Sequence, residues 1–216
     1  MALFRSDLTT LSDERLMELV VRGDERAFGT LYDRYRRKLL TYFHRMLWQD
    51  RELAQDYLQD LFAKIAQRPG SYDPSRTFST WLYSVANNMC KNAYRHEEVR
   101  RAAAPKLKAE TDHVQALYGD GVDKANFRER LDAELDMLDP DHKATFVMRY
   151  HEDRSIKEIA AAFGCSEGTV KSRIFYTLKK LAARLKEFNP DQPDGEANAL
   201  HEIPARAKLR DHDGTT

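Results

Sequence analysis

The chain has 216 residues, 42% hydrophobic and 32% charged, with 35 basic and 35 acidic side chains and a formal net charge of zero. That balance suits a soluble, helix-rich chain of one or two domains and carries no global signal for a nucleic-acid partner. MALFRSDLTT lacks an apolar signal core and no run approaches the length of a membrane span, so a cytoplasmic chain without membrane insertion is expected.

Helical periodicity dominates, and glycine and proline are sparse before the tail. A first helix is expected from near Ser12 to Gly23. A second carries Phe28, Leu31, Tyr32, Tyr35, Leu39, Phe43 and Met46 on one face. A third carries Tyr57, Leu58, Leu61, Phe62 and Ile65. QRPGSYDPSRT, residues 67–77, reads as a loop. A fourth helix follows, with Trp81, Leu82, Val85, Ala86 and Met89 on its buried side. Its exposed side is expected to offer Thr80, Asn87, Asn88, Lys91, Asn92 and Arg95. Tyr72, Phe78, Tyr83 and Tyr94 lie around that surface, although core packing competes for the rings, most of all for Trp81. Amides and cations beside aromatic rings suit single-stranded nucleic acid, whose bases stack while its phosphates meet the cations.

From about Arg101 to Asp123 no stripe is sustained, and the segment reads as a flexible linker. A second helical unit begins with Phe127, Leu131, Leu135 and Leu138. Asp139 and Pro140 restart a helix as cap and first residue, with Phe146, Val147 and Tyr150 on it. After Phe188 the tail carries Asp191, Asp194, Glu196, Glu202, Asp211 and Asp213 against Arg206, Lys208 and Arg210. Residues 189–216 are expected to be an acidic, disordered tail. The fold class expected is all-α: two small helical domains, 12–100 and 124–188, joined by the linker 101–123.

The sharpest pattern is SIKEIAAAFGCSEGTVKSRIFYTLKK. Ser155 and Glu158 form a capping box. Gly164 ends that helix, since glycine tolerates the left-handed conformation past a helix end. Ser166 caps the next helix, and Glu167 suits the positive end of its dipole. Val170, Ile174, Leu178, Leu181 and Leu185 make one apolar stripe. Lys171, Arg173, Lys179, Lys180, Arg184 and Lys186 face one acid, Glu167, along this helix. Ala160, Gly164 and Val170 have the spacing of a helix-turn-helix, whose second helix enters the major groove of DNA. On the same stripe argument, Lys171, Arg173 and Lys179 are expected to face the DNA.

DERAFGTLYDRY, DRELAQDYLQDLFAKIAQRP, FSTWLYSVANNMCKNAYR and LDMLDPDHKATFVMRYHEDRSIKEIAAAFGCSEGTVKSRI occur in this order. Together they resemble bacterial sigma factors of the extracytoplasmic-function group, over roughly residues 12–186. The resemblance implies a non-catalytic specificity subunit that binds core RNA polymerase and promoter DNA, for a stress or envelope-signal regulon. It implies clamp coiled-coil binding by Asp56, Gln59, Asp60 and Phe62, unless Phe62 is core. It implies −10 reading by Phe78, Thr80, Asn87, Asn88, Lys91, Tyr94 and Arg95. The loop at 67–77 would receive a flipped base. It implies −35 reading by Glu167, Thr169, Lys171, Ser172, Arg173, Tyr176 and Lys179, with the C-terminal unit also on the polymerase flap. An anti-sigma partner is a further implication, and no cofactor or metal is implied. The chain departs from the family pattern at Asn87, Asn92 and Phe175 to Thr177.

Enzyme signatures are missing: no H-E-x-x-H follows His96, His151 or His201, and there is no Walker loop or G-x-S-x-G. Cys90 and Cys165 show no metal spacing and are expected to fill apolar sites in a reducing compartment. The competing reading is a helix-turn-helix regulator that acts without core polymerase, which leaves FSTWLYSVANN unexplained.

Overall fold

The structure, a computed structural model, describes residues 8–103 and 124–188. Of the linker expected at 101–123, residues 104–123 lie outside the described residues, as does the tail expected at 189–216. Everything described is helical or connecting: α1 (Asp13–Val21), α2 (Glu25–Met46), α3 (Arg51–Gln67), α4 (Phe78–Ala103), α5 (Lys124–Asp136), α6 (Pro140–Tyr150), α7 (Ile156–Phe163) and α8 (Glu167–Arg184). α4 runs three residues past Arg100, where the linker was expected to begin.

Helix starts follow from short polar side chains that accept from otherwise unpaired backbone N–H groups. Ser12 accepts from Arg15, Asp24 from Arg26 and Ala27, and Asp50 from Leu53. α4 takes its acceptor from a different helix. The Phe78 N–H donates to Glu14 Oε1 at 3.0 Å, which ties α1 to the end of the 67–77 loop. That loop holds one short 3₁₀ turn, Pro69–Ser71, and Tyr72 donates its hydroxyl hydrogen to the Arg76 carbonyl at 2.7 Å.

α1 to α4 enclose a core of Leu16, Met17, Leu31, Leu39, Phe43, Leu61, Phe78 and Leu82, among others. Phe62 belongs to it, packed edge-on against Tyr32 and Phe28 with ring centres 4.8 Å and 6.0 Å away. A smaller cluster of Leu135, Leu138, Phe146, Leu181 and Leu185 holds α5, α6 and α8 together. The two units are not separate bodies on a string. Ala144, Val147, Met148, Ile159, Ala160, Ala162 and Val170 of the C-terminal unit continue the N-terminal core without a break. α4 therefore sits between its own unit and α6–α7.

Candidate nucleic-acid interface

The helix-turn-helix forms as its caps dictate. Ser155 accepts from the Glu158 N–H at 3.2 Å while Glu158 Oε2 accepts from the Ser155 N–H at 2.9 Å. Gly164 has φ +63°, a left-handed turn in which a side chain would be strained. Ser166 accepts from the Thr169 N–H at 3.1 Å and pairs with its hydroxyl at 2.9 Å, so Thr169 is engaged in capping.

α8 then divides cleanly. Val170, Thr177, Leu181 and Leu185 are buried. Glu167, Lys171, Ser172, Phe175, Tyr176, Lys179 and Lys180 are exposed. Phe175 and Tyr176 stand edge to face, with ring centres 5.4 Å apart. Thr177 turns inward to His142 Nδ1 at 3.2 Å. Arg173 is the correction on this helix: it was expected to face outward, but it points toward α6. Its guanidinium meets Asp141 at 2.5 Å and only 19% of its side chain is exposed.

α4 departs further from the sequence expectation. Thr80 and Asn87 are buried, not exposed, and Asn87 accepts from the Tyr42 hydroxyl at 3.4 Å. Phe78 is fully buried, and Tyr72, Trp81 and Tyr83 are buried with it. The rings expected as a stacking platform pack on one another instead, with Tyr72, Phe78 and Trp81 centred 5.4–5.8 Å apart. Tyr94 is half-buried and lies against Trp48. Asn88, Asn92 and Arg95 remain exposed, and Lys91 is half-exposed. On α3, Asp56, Gln59 and Asp60 share an exposed face, whereas Phe62 is core.

Polar contacts line the seam between the units. Lys91 Nζ lies 2.7 Å from Asp141. Lys143 is buried and donates to Asp136 at 2.5 Å, with longer bonds to the Tyr94 hydroxyl at 3.4 Å and the Met46 carbonyl at 3.5 Å. Tyr83 donates to Glu152 at 2.5 Å, and the Arg154 guanidinium lies 4.9 Å from the Tyr83 ring centre. Arg76 of the loop donates to the Ala161 carbonyl. Burial pushes the Glu152 carboxyl above its ordinary value, against the Tyr83 hydrogen bond and Arg154, which favour the charged form. Burial holds His151 below the ordinary imidazole value, and Arg45 adds to that.

Asp141, Lys143, Glu152 and Glu14 are not among the functional positions expected from sequence. Each is an ordinary charge in sequence, and each meets a partner on a distant helix.

The sequence matches the family descriptions "Sigma-70 region 2" over residues 31–100 and "Sigma-70, region 4" over 128–181. It is 32% identical over 179 residues to the RNA polymerase sigma-H factor of Pseudomonas aeruginosa, covering 78% of this chain and 91% of that one. It is 32% identical over 186 residues to the ECF RNA polymerase sigma-E factor of Haemophilus influenzae, covering 82% and 96%. Among solved structures, CnrH in complex with the cytosolic domain of CnrY aligns at a TM-score of 0.61 and 24% identity, over 81% of this chain and 97% of that one. The sigma factor RpoE bound to the anti-sigma factor NepR, from Bartonella quintana, aligns at 0.57 and 22%, over 76% and 98%. The fold is thus that of known sigma factors, and the chain belongs to the sigma-70 family of RNA polymerase sigma factors, in its extracytoplasmic-function group.

Proposed function

We propose that this sigma factor recruits core RNA polymerase through the exposed face of α3 and reads promoter DNA with α4 and α8. Asp56, Gln59 and Asp60 offer acids and an amide to basic groups on the polymerase clamp. Asn88, Lys91, Tyr94 and Arg95 engage the −10 strand. Lys171, Ser172, Tyr176 and Lys179 engage the −35 duplex, with the C-terminal unit also touching the polymerase flap. The observation that carries the reading is the exposed, basic face of α8 on a capped helix-turn-helix, since such a face suits phosphates and base edges. The chain supplies specificity, and catalysis belongs to the polymerase. No described helix is long and apolar enough to cross a membrane. A cytoplasmic site of action is part of the proposal, as is an anti-sigma partner, by analogy with the sigma factors whose solved structures hold one.

The test is transcription by core polymerase over a library of genomic promoters, with and without the chain. New transcripts from a small promoter set are expected. A chain that binds duplex DNA tightly on its own and never associates with core is a separate regulator instead.

A further inference from the structure

We infer that Arg173 and His142 are positioning residues for promoter reading, which set the roll of α8 against α6 without touching DNA themselves. The inference rests on reading α8 as the helix that engages the −35 duplex. Two polar pairs tie the middle of α8 to the first turn of α6. The Arg173 guanidinium meets Asp141 Oδ2 at 2.5 Å, and the Thr177 hydroxyl lies 3.2 Å from His142 Nδ1. Arg173 and Thr177 are four positions apart, so they stand one turn apart on the same face of α8. Asp141 and His142 are neighbours just after the Asp139 cap and Pro140. Neither pair is a loose surface contact: Thr177 is 1% exposed and the Arg173 side chain 19%.

The apolar stripe of α8 does not fix that roll by itself. It passes from the large core at Val170 to the smaller cluster at Leu181 and Leu185, and the two polar pairs lie between these anchors. Apolar burial is non-directional and tolerates a small rotation, whereas a charge-assisted hydrogen bond has a preferred geometry. Ser172, Tyr176 and Lys179 stand on the exposed side of the same helix. A roll of about 20° moves a side-chain tip by about 2 Å at a radius of about 6 Å. A binding constellation tolerates about 0.5 Å. Loss of either pair therefore blurs base reading by the exposed side, although neither pair meets a base. Asp141 also faces Lys91 of α4 through Oδ1 at 2.7 Å, so a change there disturbs two helices. Arg173 and His142 isolate the contact between α6 and α8.

The test uses the full chain assembled with core polymerase, on a promoter recovered from the transcription screen and on a copy with its −35 element scrambled. Fluorescence anisotropy over a salt series reads the preference for the intact element and the salt slope of binding. Arg173→Ala and His142→Ala are each expected to cut that preference about tenfold, the discrimination that one base contact supplies, with the slope unchanged. His142→Asn places an amide where Nδ1 stands and is expected to restore the preference. Full preference in either alanine variant overturns the paired brace. A slope smaller by about one in Arg173→Ala makes Arg173 a phosphate contact and overturns its positioning role. Failure of His142→Asn to restore the preference overturns the hydrogen bond as the cause. Lys179→Ala tests the underlying reading separately. Lys179 is exposed on α8, so weaker binding with a slope smaller by about one supports α8 on the duplex, and unchanged binding removes that support.

Discussion

α4 and α8 carry the proposed DNA contacts, yet they present them in opposite ways. α8 is half in and half out: one apolar stripe inside, lysines and a tyrosine outside. α4 is buried on several sides, because α1 to α3 cover one flank and α6–α7 another. Its Thr80 and Asn87 lie inside that sandwich, whereas Asn88, one position on, lies outside. A polar residue on a helix is therefore a ligand candidate only once every packed neighbour of that helix is known.

The comparison breaks most visibly where an outward reading and an inward one sit close together. Phe62→Ala should lower stability by about 4 kcal/mol, the range for a buried aromatic ring. Asp60→Arg, on the exposed face of the same helix, should stay within about 0.5 kcal/mol of wild type while weakening association with core polymerase. Urea unfolding and a core pull-down separate the two. Equal stability losses would put Asp60 inside.

The seam gives a second contrast. Asp136→Ala leaves the Lys143 ammonium buried without its carboxylate and should cost about 3 kcal/mol. Lys143→Met removes the buried charge itself and keeps the volume, so it should cost about 1 kcal/mol. The reverse order in thermal unfolding would mean that the pair is not closed in solution.

Asn87 and Asn88 form the third. Asn87→Ala deletes a buried amide, leaves the Tyr42 hydroxyl without its acceptor and should cost about 1–2 kcal/mol. Asn88→Ala should change stability by less than about 0.5 kcal/mol and should impair promoter opening with core binding intact. Permanganate reactivity of the −10 thymines reads the second effect. Normal opening by Asn88→Ala would move the strand contact elsewhere on α4.

The smallest expected effect is on pH. Burial, then Arg45, hold the His151 imidazole below 6.5, with Asp132 opposing. The unfolded chain therefore takes up this proton first, and stability falls as pH drops through about 6.5. Glu152 has the opposite sign. Its raised value makes the folded chain the better proton acceptor, so its contribution is complete at low pH and is lost as pH rises through the folded value. His151→Gln should flatten or reverse the decline in unfolding temperature between about pH 7.5 and 6. An unchanged slope would assign the decline to other groups.

What the sequence disclosed was local. Ser155 with Glu158, Gly164, Ser166 and the Val170 to Leu185 stripe each act within a few residues, and the structure contains every one of them. The all-helical class followed from the same signals. The seam did not, because Asp141 meets Lys91 on a helix of the other unit and Tyr83 meets Glu152 from 69 positions away. No periodicity encodes such pairs. Arg173 went the same way: the stripe placed it off the core, and a carboxylate on α6 drew it back. For α4 the period was read as one buried stripe, although Phe78, Leu82, Tyr83, Ala86, Asn87 and Cys90 extend burial around the helix. Two sides of packing blur a one-sided pattern.

Photocrosslinking in the assembled complex of core polymerase, this sigma factor and promoter DNA tests the central claim most directly. A photoreactive side chain would stand at Asp60, Asn88 or Lys179 in turn. Three different products are expected: polymerase from position 60, the −10 non-template strand from position 88 and the −35 duplex from position 179. If positions 88 and 179 both label polymerase and neither labels DNA, the assignment of α4 and α8 to the promoter is wrong.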